Sequence, residues 1–289
     1  MMSTEQISIP VSTQRRIVYR TKGHSQGPLT RLMSPGDFGE LVKPFVFLDY
    51  FDFPRAGGDG GSVHPHSGIA THTTLLQGAF VYGDSTGASG TLSSGNLEWM
   101  QAGGGVWHGG APIGGQPLRG FQLWMALPSS LELAPAESHY IDAETVPSDG
   151  RVRVLLGAYQ GMASPIPYEP PVTYLHVRLK DGERWTYQPP ARHDVAWLAV
   201  ATGTVLADDA ALRREMAVFE EGNAAIECVA QGEVEFVIGS AVKHPHPLVT
   251  GYYSVHTSRE TLARGEAGIE EVALTMKLKP GRPLSASIR

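Results

Sequence analysis

Apolar and polar positions along this chain alternate over short stretches instead of recurring every three or four residues, and a period of two predicts strands. Strand-like runs fall at 15–19, 45–51, 73–76, 79–83, 97–102 and 120–127. Each is closed by glycine, proline or aspartate, and such regular punctuation predicts a sandwich or barrel. The rhythm stops at 128–147, where Glu132, Glu137, Asp142 and Glu144 mix with Pro128, Pro135 and Pro147 without a clean period, as in a connector between two cores. It resumes at 152–158, 173–180, 195–200, 216–219, 224–230 and 233–238. Each half has an apolar strand meeting a turn, at Gly78 in the first and Gly203 in the second. Two similar β domains are therefore predicted, over 10–130 and 148–289, with 131–147 as linker. The strongest helical signal comes late, with Thr257 as N-cap of a helix over 258–263 that stops near Gly265.

Composition supports a globular, mostly β chain. At 289 residues it is about twice the usual single-domain length, its 42% hydrophobic content can fill real cores, and 18% charge argues against disorder or coiled coil. The 34 glycines and 21 prolines would interrupt helices repeatedly. A net charge of −6 with no block of lysine or arginine offers no surface for tracking phosphates, so direct nucleic-acid binding is disfavoured. No apolar run approaches the roughly 20 residues a bilayer span needs, and residues 1–10 lack the regions of a signal peptide, so a cytoplasmic protein without membrane contact is expected. The single cysteine, Cys228, lies in an apolar stretch and reads as an inert core thiol.

The chemistry concentrates in the histidines. His64 and His66 flank Pro65, and alternate residues of a strand point to one face, so both imidazoles can converge on one point. His108 follows about forty residues later, after an intervening hairpin, where an antiparallel neighbour could bring it opposite the pair. Three neutral imidazoles suit Fe, Mn, Ni, Cu or Zn. Other features have plainer readings. The glycine runs at 57–61 and 103–105 lack the lysine or helix signature of a phosphate loop and read as turns. His24, His72 and His139 individually read as solvent-facing or structural. His244 and His246 lie among prolines that impede strand pairing.

In order along the chain, His64-Pro65-His66 with Gly68, Leu75-Leu76-Gln77-Gly78, Asp84-Ser85-Thr86-Gly87, the run from Gly95 through Glu98-Trp99-Met100 to Gly103, Val106-Trp107-His108, and the run from Gly120 to Pro128 resemble the pirin family. The segment 44–51 is also similar to that family's opening strands, whereas the second half matches through looser features such as 251–257. The resemblance implies an all-β fold of two cupin-type β-barrels packed face to face with a short C-terminal helix. It also implies a metal in the first barrel and none in the second, where 187–193 offers only His193.

Pirins hold one divalent metal, usually iron, on an H-P-H pair and on the histidine and glutamate of an H-x-E motif. Carried over, the first three ligands fall on His64, His66 and His108, with Fe first and Mn, Ni, Cu or Zn as other candidates. The fourth falls on Gly110, so the family glutamate is absent. Water is the simplest replacement. His72 shares the parity of His66 if the strand phase is kept, but a turn at Ser67 and Gly68 can reset that phase and put Thr71 inward instead. Glu98 is a further candidate.

Three functions follow from the resemblance. The first is a metal- or redox-responsive module that binds a protein partner, either a regulator or a metabolic enzyme. The second is a quercetin 2,3-dioxygenase-like enzyme opening the ring of a small aromatic substrate, with weak turnover because the absent glutamate would be the base. The third is a metal-free bicupin that binds a small molecule.

Overall fold

The computed structural model describes residues 14–56, 63–168 and 170–276. The glycine run at 57–61, the start of the first expected domain and the end of the second lie outside the described residues. Within them the chain forms two β-barrels and a C-terminal helix, the all-β architecture expected.

The first barrel closes a seven-stranded sheet over a four-stranded one. In the larger sheet the order is Glu137–Ile141, Leu97–Gln101, Ile69–Gln77, Gln116–Ala126, Phe45–Ala56, Leu29–Met33 and His24–Gln26. In the smaller it is His64–His66, Val106–Pro112, Ala79–Asp84 and Ser89–Ser93. The second barrel is built on the order Ile17–Thr21, Met216–Phe219, Val195–Ala207, Ile226–Ala241, Val172–Leu179 and Val152–Leu156.

Strand alternation divides the cores. On the larger first-barrel sheet Leu48, Tyr50, Ala70, Trp99, Phe121 and Leu123 point outward and pack against Leu155, Tyr174, Trp197, Met216 and Val237 of the second barrel, in one buried cluster that joins the two. Phe45 meets Trp197 edge-on at 5.4 Å there. The interior of the second barrel is filled by apolar side chains, including Val177, Leu198, Phe236 and the buried Cys228. Burial pushes the Cys228 thiol up to about 12, so it stays protonated. The interior of the first barrel is different, because its inward positions include Thr73, Glu98 and Gln122, linked by hydrogen bonds.

Several expectations change. The runs at 224–230 and 233–238 are one strand, Ile226–Ala241, and the turn expected at Gly203 lies inside the strand Val195–Ala207. Gly203 and Gly232, with φ of +74° and +73°, and the register shifts at Thr202 bend these strands without ending them. Within the expected linker, Glu137–Ile141 pairs with Leu97–Gln101 as an edge of the first barrel.

The chain ends also cross over. Ile17–Thr21 pairs with Met216–Phe219 of the second barrel, while the segment after residue 248 packs on the first. Finally, the helix is capped by Ser258 in a capping box with Thr261, not by Thr257. It runs over Arg259–Thr275, straight through Gly265.

Candidate metal centre

His64–His66 is an edge strand of the smaller sheet, the place where Pro65, which has no N–H to donate, is tolerated. Its partner Val106–Pro112 runs antiparallel, setting His64 directly opposite His108 and His66 opposite Val106. The three imidazoles meet inside the first barrel, with one nitrogen of each within 4.8 Å of the others. Nε2 of His108 lies 3.0 Å from Nε2 of His64. The His66 ring is buried, and its Nδ1 donates to the Tyr253 carbonyl at 3.0 Å. That bond commits the proton to Nδ1 and leaves the lone pair on Nε2, which has no hydrogen-bond partner among the described residues. Burial, with His64 and His108 nearby, holds the His66 imidazole well below its ordinary value, so it is neutral and fit to ligate. Three imidazole nitrogens converging inside the barrel, one of them a buried orphan acceptor, are a donor set that fits a divalent transition metal.

Behind His108 stands Glu98, on the neighbouring strand of the larger sheet. Its Oε1 is 3.7 Å from Nδ1 of His108, an ion-pair distance, with the carboxylate side chain 4% exposed. Its other oxygen accepts from the Thr73 hydroxyl. The same hydroxyl lies 2.8 Å from Oε1 of Gln122, which extends the chain. Burial alone would raise the Glu98 carboxyl. His108 and Thr73 outweigh it and keep the group below the usual carboxylate range.

The positions considered for a fourth ligand fall elsewhere. Gly68, at φ +72°, resets the strand phase, so Thr71 and Thr73 face inward and His72 faces the second barrel. The His72 ring packs edge-on against Tyr174 at 5.3 Å and is not among the three converging histidines. At Gly110 a β-carbon would lie 2.5 Å from the Val81 carbonyl oxygen and 2.8 Å from the Phe80 ring. The place of the family glutamate is thus closed by backbone and aromatic ring. In the second half, Nδ1 of His193 lies 2.7 Å from Ser240 Oγ and Nε2 of His244 is 3.2 Å from the Leu127 carbonyl.

Sequence reasoning missed what the far end of the chain brings to this site. Besides the Tyr253 carbonyl, a buried chain of hydrogen bonds starts beside His66. Ser67 Oγ lies 2.8 Å from Ser254 Oγ and 3.0 Å from His256 Nε2, and His256 Nδ1 donates to Glu132 Oε2 at 3.1 Å. Glu132 also accepts from the Thr257 backbone at 2.8 Å and from its hydroxyl at 2.6 Å. The order serine, histidine, carboxylate is that of a nucleophile and its base, but Ser67 is fully buried and a β-carbon at Gly265 would sit 2.6 Å from its oxygen. No acyl group fits there, so the chain acts as a tether between the H-P-H turn and the terminal segment. The local signals were the segment 251–257 and the capped helix after it.

Two surface clefts, of 380 and 260 Å³, are lined by residues such as Arg151, Arg178 and Glu235 in one and Val18, Leu41 and Phe219 in the other. Neither includes any of the three histidines. Around the histidines themselves the walls are aromatic. Trp124 packs 4.7 Å from the His66 ring and stacks on Phe47 at 4.0 Å, and Tyr253 lies 5.5 Å from His64.

Residues 29–125, which hold all three histidines, match the family model described as Pirin. The chain is 30% identical over 252 residues to a protein of Pseudomonas aeruginosa provisionally named quercetin 2,3-dioxygenase, covering 81% of this chain and 87% of that one. It is 31% identical over 200 residues to a pirin-like protein of Solanum lycopersicum, 68% of each chain. Among solved structures, a quercetin 2,3-dioxygenase from Acinetobacter baumannii superposes with a TM-score of 0.81 at 22% identity, over 89% of this chain and 97% of that one. A bacterial pirin from Escherichia coli in complex with nickel(II) gives 0.62 at 17% identity, over 79% and 98%. At these identities the two structures speak for the fold.

Proposed function

The chain belongs to the pirin family, and on that premise we propose that its first barrel holds one divalent transition metal on His64, His66 and His108 and serves oxygen-dependent ring cleavage of a small hydroxylated aromatic, in the manner of a quercetin 2,3-dioxygenase. The observation that carries the reading is the buried Nε2 of His66, fixed as an acceptor by the Tyr253 carbonyl and left without a partner where two other imidazoles converge. When bound, such an ion supplies Lewis acidity and open coordination positions. The chain supplies the rest. The Tyr253 carbonyl orients His66, while Trp124 and Tyr253 pack edge-on against its ring and give the site aromatic walls. Position 110 is closed and Glu98 stands behind the His108 ring, so among the described residues no carboxylate joins the three converging nitrogens to take a substrate proton, and turnover is slow.

A second reading, a metal-responsive protein-binding module, is favoured by the two clefts lying away from the histidines. Anaerobic purification with elemental analysis, followed by oxygen uptake with a flavonol, separates the readings. We expect about one metal per chain, lost in His108→Ala, and slow uptake that follows metal content. A loaded protein without uptake leaves the binding module. A wild type as metal-free as His108→Ala sinks both.

A further inference from the structure

We infer that the negative charge of this metal centre comes from Glu98, acting as a positioning residue through Nδ1 of His108 and not as a ligand. The inference rests on the three histidines being the metal ligands. His108 has two ring nitrogens with different duties. Its Nε2 faces Nε2 of His64 at 3.0 Å and belongs to the metal side, which leaves Nδ1 for Glu98, 3.7 Å away on the opposite edge of the ring. The Glu98 oxygens do not join the converging nitrogens, and the Thr73 and Gln122 chain holds the carboxylate from behind.

Charge accounting leads to the same place. An almost fully buried carboxylate is expensive unless a positive group answers it. Among the described residues the one ion-pair partner of Glu98 is His108, with no lysine or arginine beside it. An imidazole bound to a divalent ion is a stronger cationic partner than a free neutral ring, so metal loading and the Glu98 charge stabilise each other. A carboxylate at ion-pair distance from the far nitrogen also favours the proton there and makes the ligating nitrogen more basic. Position 110, beside His108 on the same strand face, cannot take this role, because the Val81 carbonyl and the Phe80 ring fill the space. The charge absent from the ligand shell is therefore placed one residue further out.

Mn(II) titration of the metal-stripped full chain, compared for wild type, Glu98→Gln, Thr73→Val and His108→Ala, tests this. Glu98→Gln keeps the shape and removes the charge, and is expected to weaken affinity by about 10- to 100-fold. In the iron-loaded protein it should also raise the Fe(III)/Fe(II) potential, a change that a purely structural role would not produce. Equal affinity and an unmoved potential in Glu98→Gln would overturn the inference while leaving the metal site standing. A wild type that binds no better than His108→Ala would overturn the site and the inference together. Should Glu98→Gln not fold, Thr73→Val keeps the charge and frees one of its tethers. A several-fold weakening there supports the inference, and none overturns it.

Discussion

Position 110 shows how much one residue can decide. Its φ lies outside the left-handed region, so backbone conformation is not what calls for glycine there. Close approach is the reason, since the Val81 carbonyl and the Phe80 ring already occupy the space of a side chain. Gly110→Glu should therefore fail to strengthen metal binding and should destabilise the fold by about 1–3 kcal/mol, the usual cost of overpacking. Thermal melts and Mn(II) titration of the variant check both effects. A tighter site at an unchanged melting temperature would mean that the strand Val106–Pro112 can move aside. His72 teaches the complementary lesson. It has the right chemistry and the same parity as His66, yet the phase reset at Gly68 turns it toward the second barrel.

At the scale of elements, the terminal helix matters most. Gly265 looks like a stop in the sequence, yet the helix passes through it and through Gly268. Both glycines are contact residues. A β-carbon at Gly268 would lie 2.0 Å from the Gly104 carbonyl oxygen, and the indole of Trp107, next to His108, donates to the Ile269 carbonyl at 2.9 Å. The helix is thereby pressed against the strand that carries a proposed ligand. Two effects of Gly268→Ala compete. Helix propensity favours alanine by about 1 kcal/mol, whereas the contact with Gly104 forces the helix to lift. The distance decides for the contact, so the variant should melt lower than wild type and bind metal more weakly. A higher melting temperature would show that the docking is slack.

For the whole molecule, the joint between the barrels makes stability depend on acidity. Burial holds His72, between the barrels, neutral down to about 4, and His193 likewise. In the unfolded chain each protonates near its ordinary value of 6.5. Between those values the unfolded state binds the extra protons, so stability falls as pH drops from about 6.5 toward 4, by up to about 1.4 kcal/mol per pH unit for each such group. Glu235, which pairs with Arg119 of the first barrel at 2.9 Å, extends the trend. Burial alone would raise its carboxyl, but His176 and Arg178 outweigh that and hold it at about 2, so its contribution is lost as pH falls from about 4.5 toward 2. Melting temperatures measured from pH 7 to pH 4 should fall steadily. A flat profile would mean that these groups titrate alike in both states.

Local pattern determined a good deal here, because strands, turns and an H-x-H pair are short-range features. The two-residue period marked the strands, and the parity of His64 and His66 with the strand bearing His108 brought three imidazoles to one point. Only the tertiary structure decided which groups surround that point. Tyr253 lies 187 positions from His66, and Glu132 lies 124 positions from His256. Glu98 reaches His108 across two sheets of one barrel. Nothing in a sequence window records such pairings. They depend on strand register, on the phase reset at Gly68 and on the terminal segment returning to the first barrel, and these are settled only when the whole chain packs.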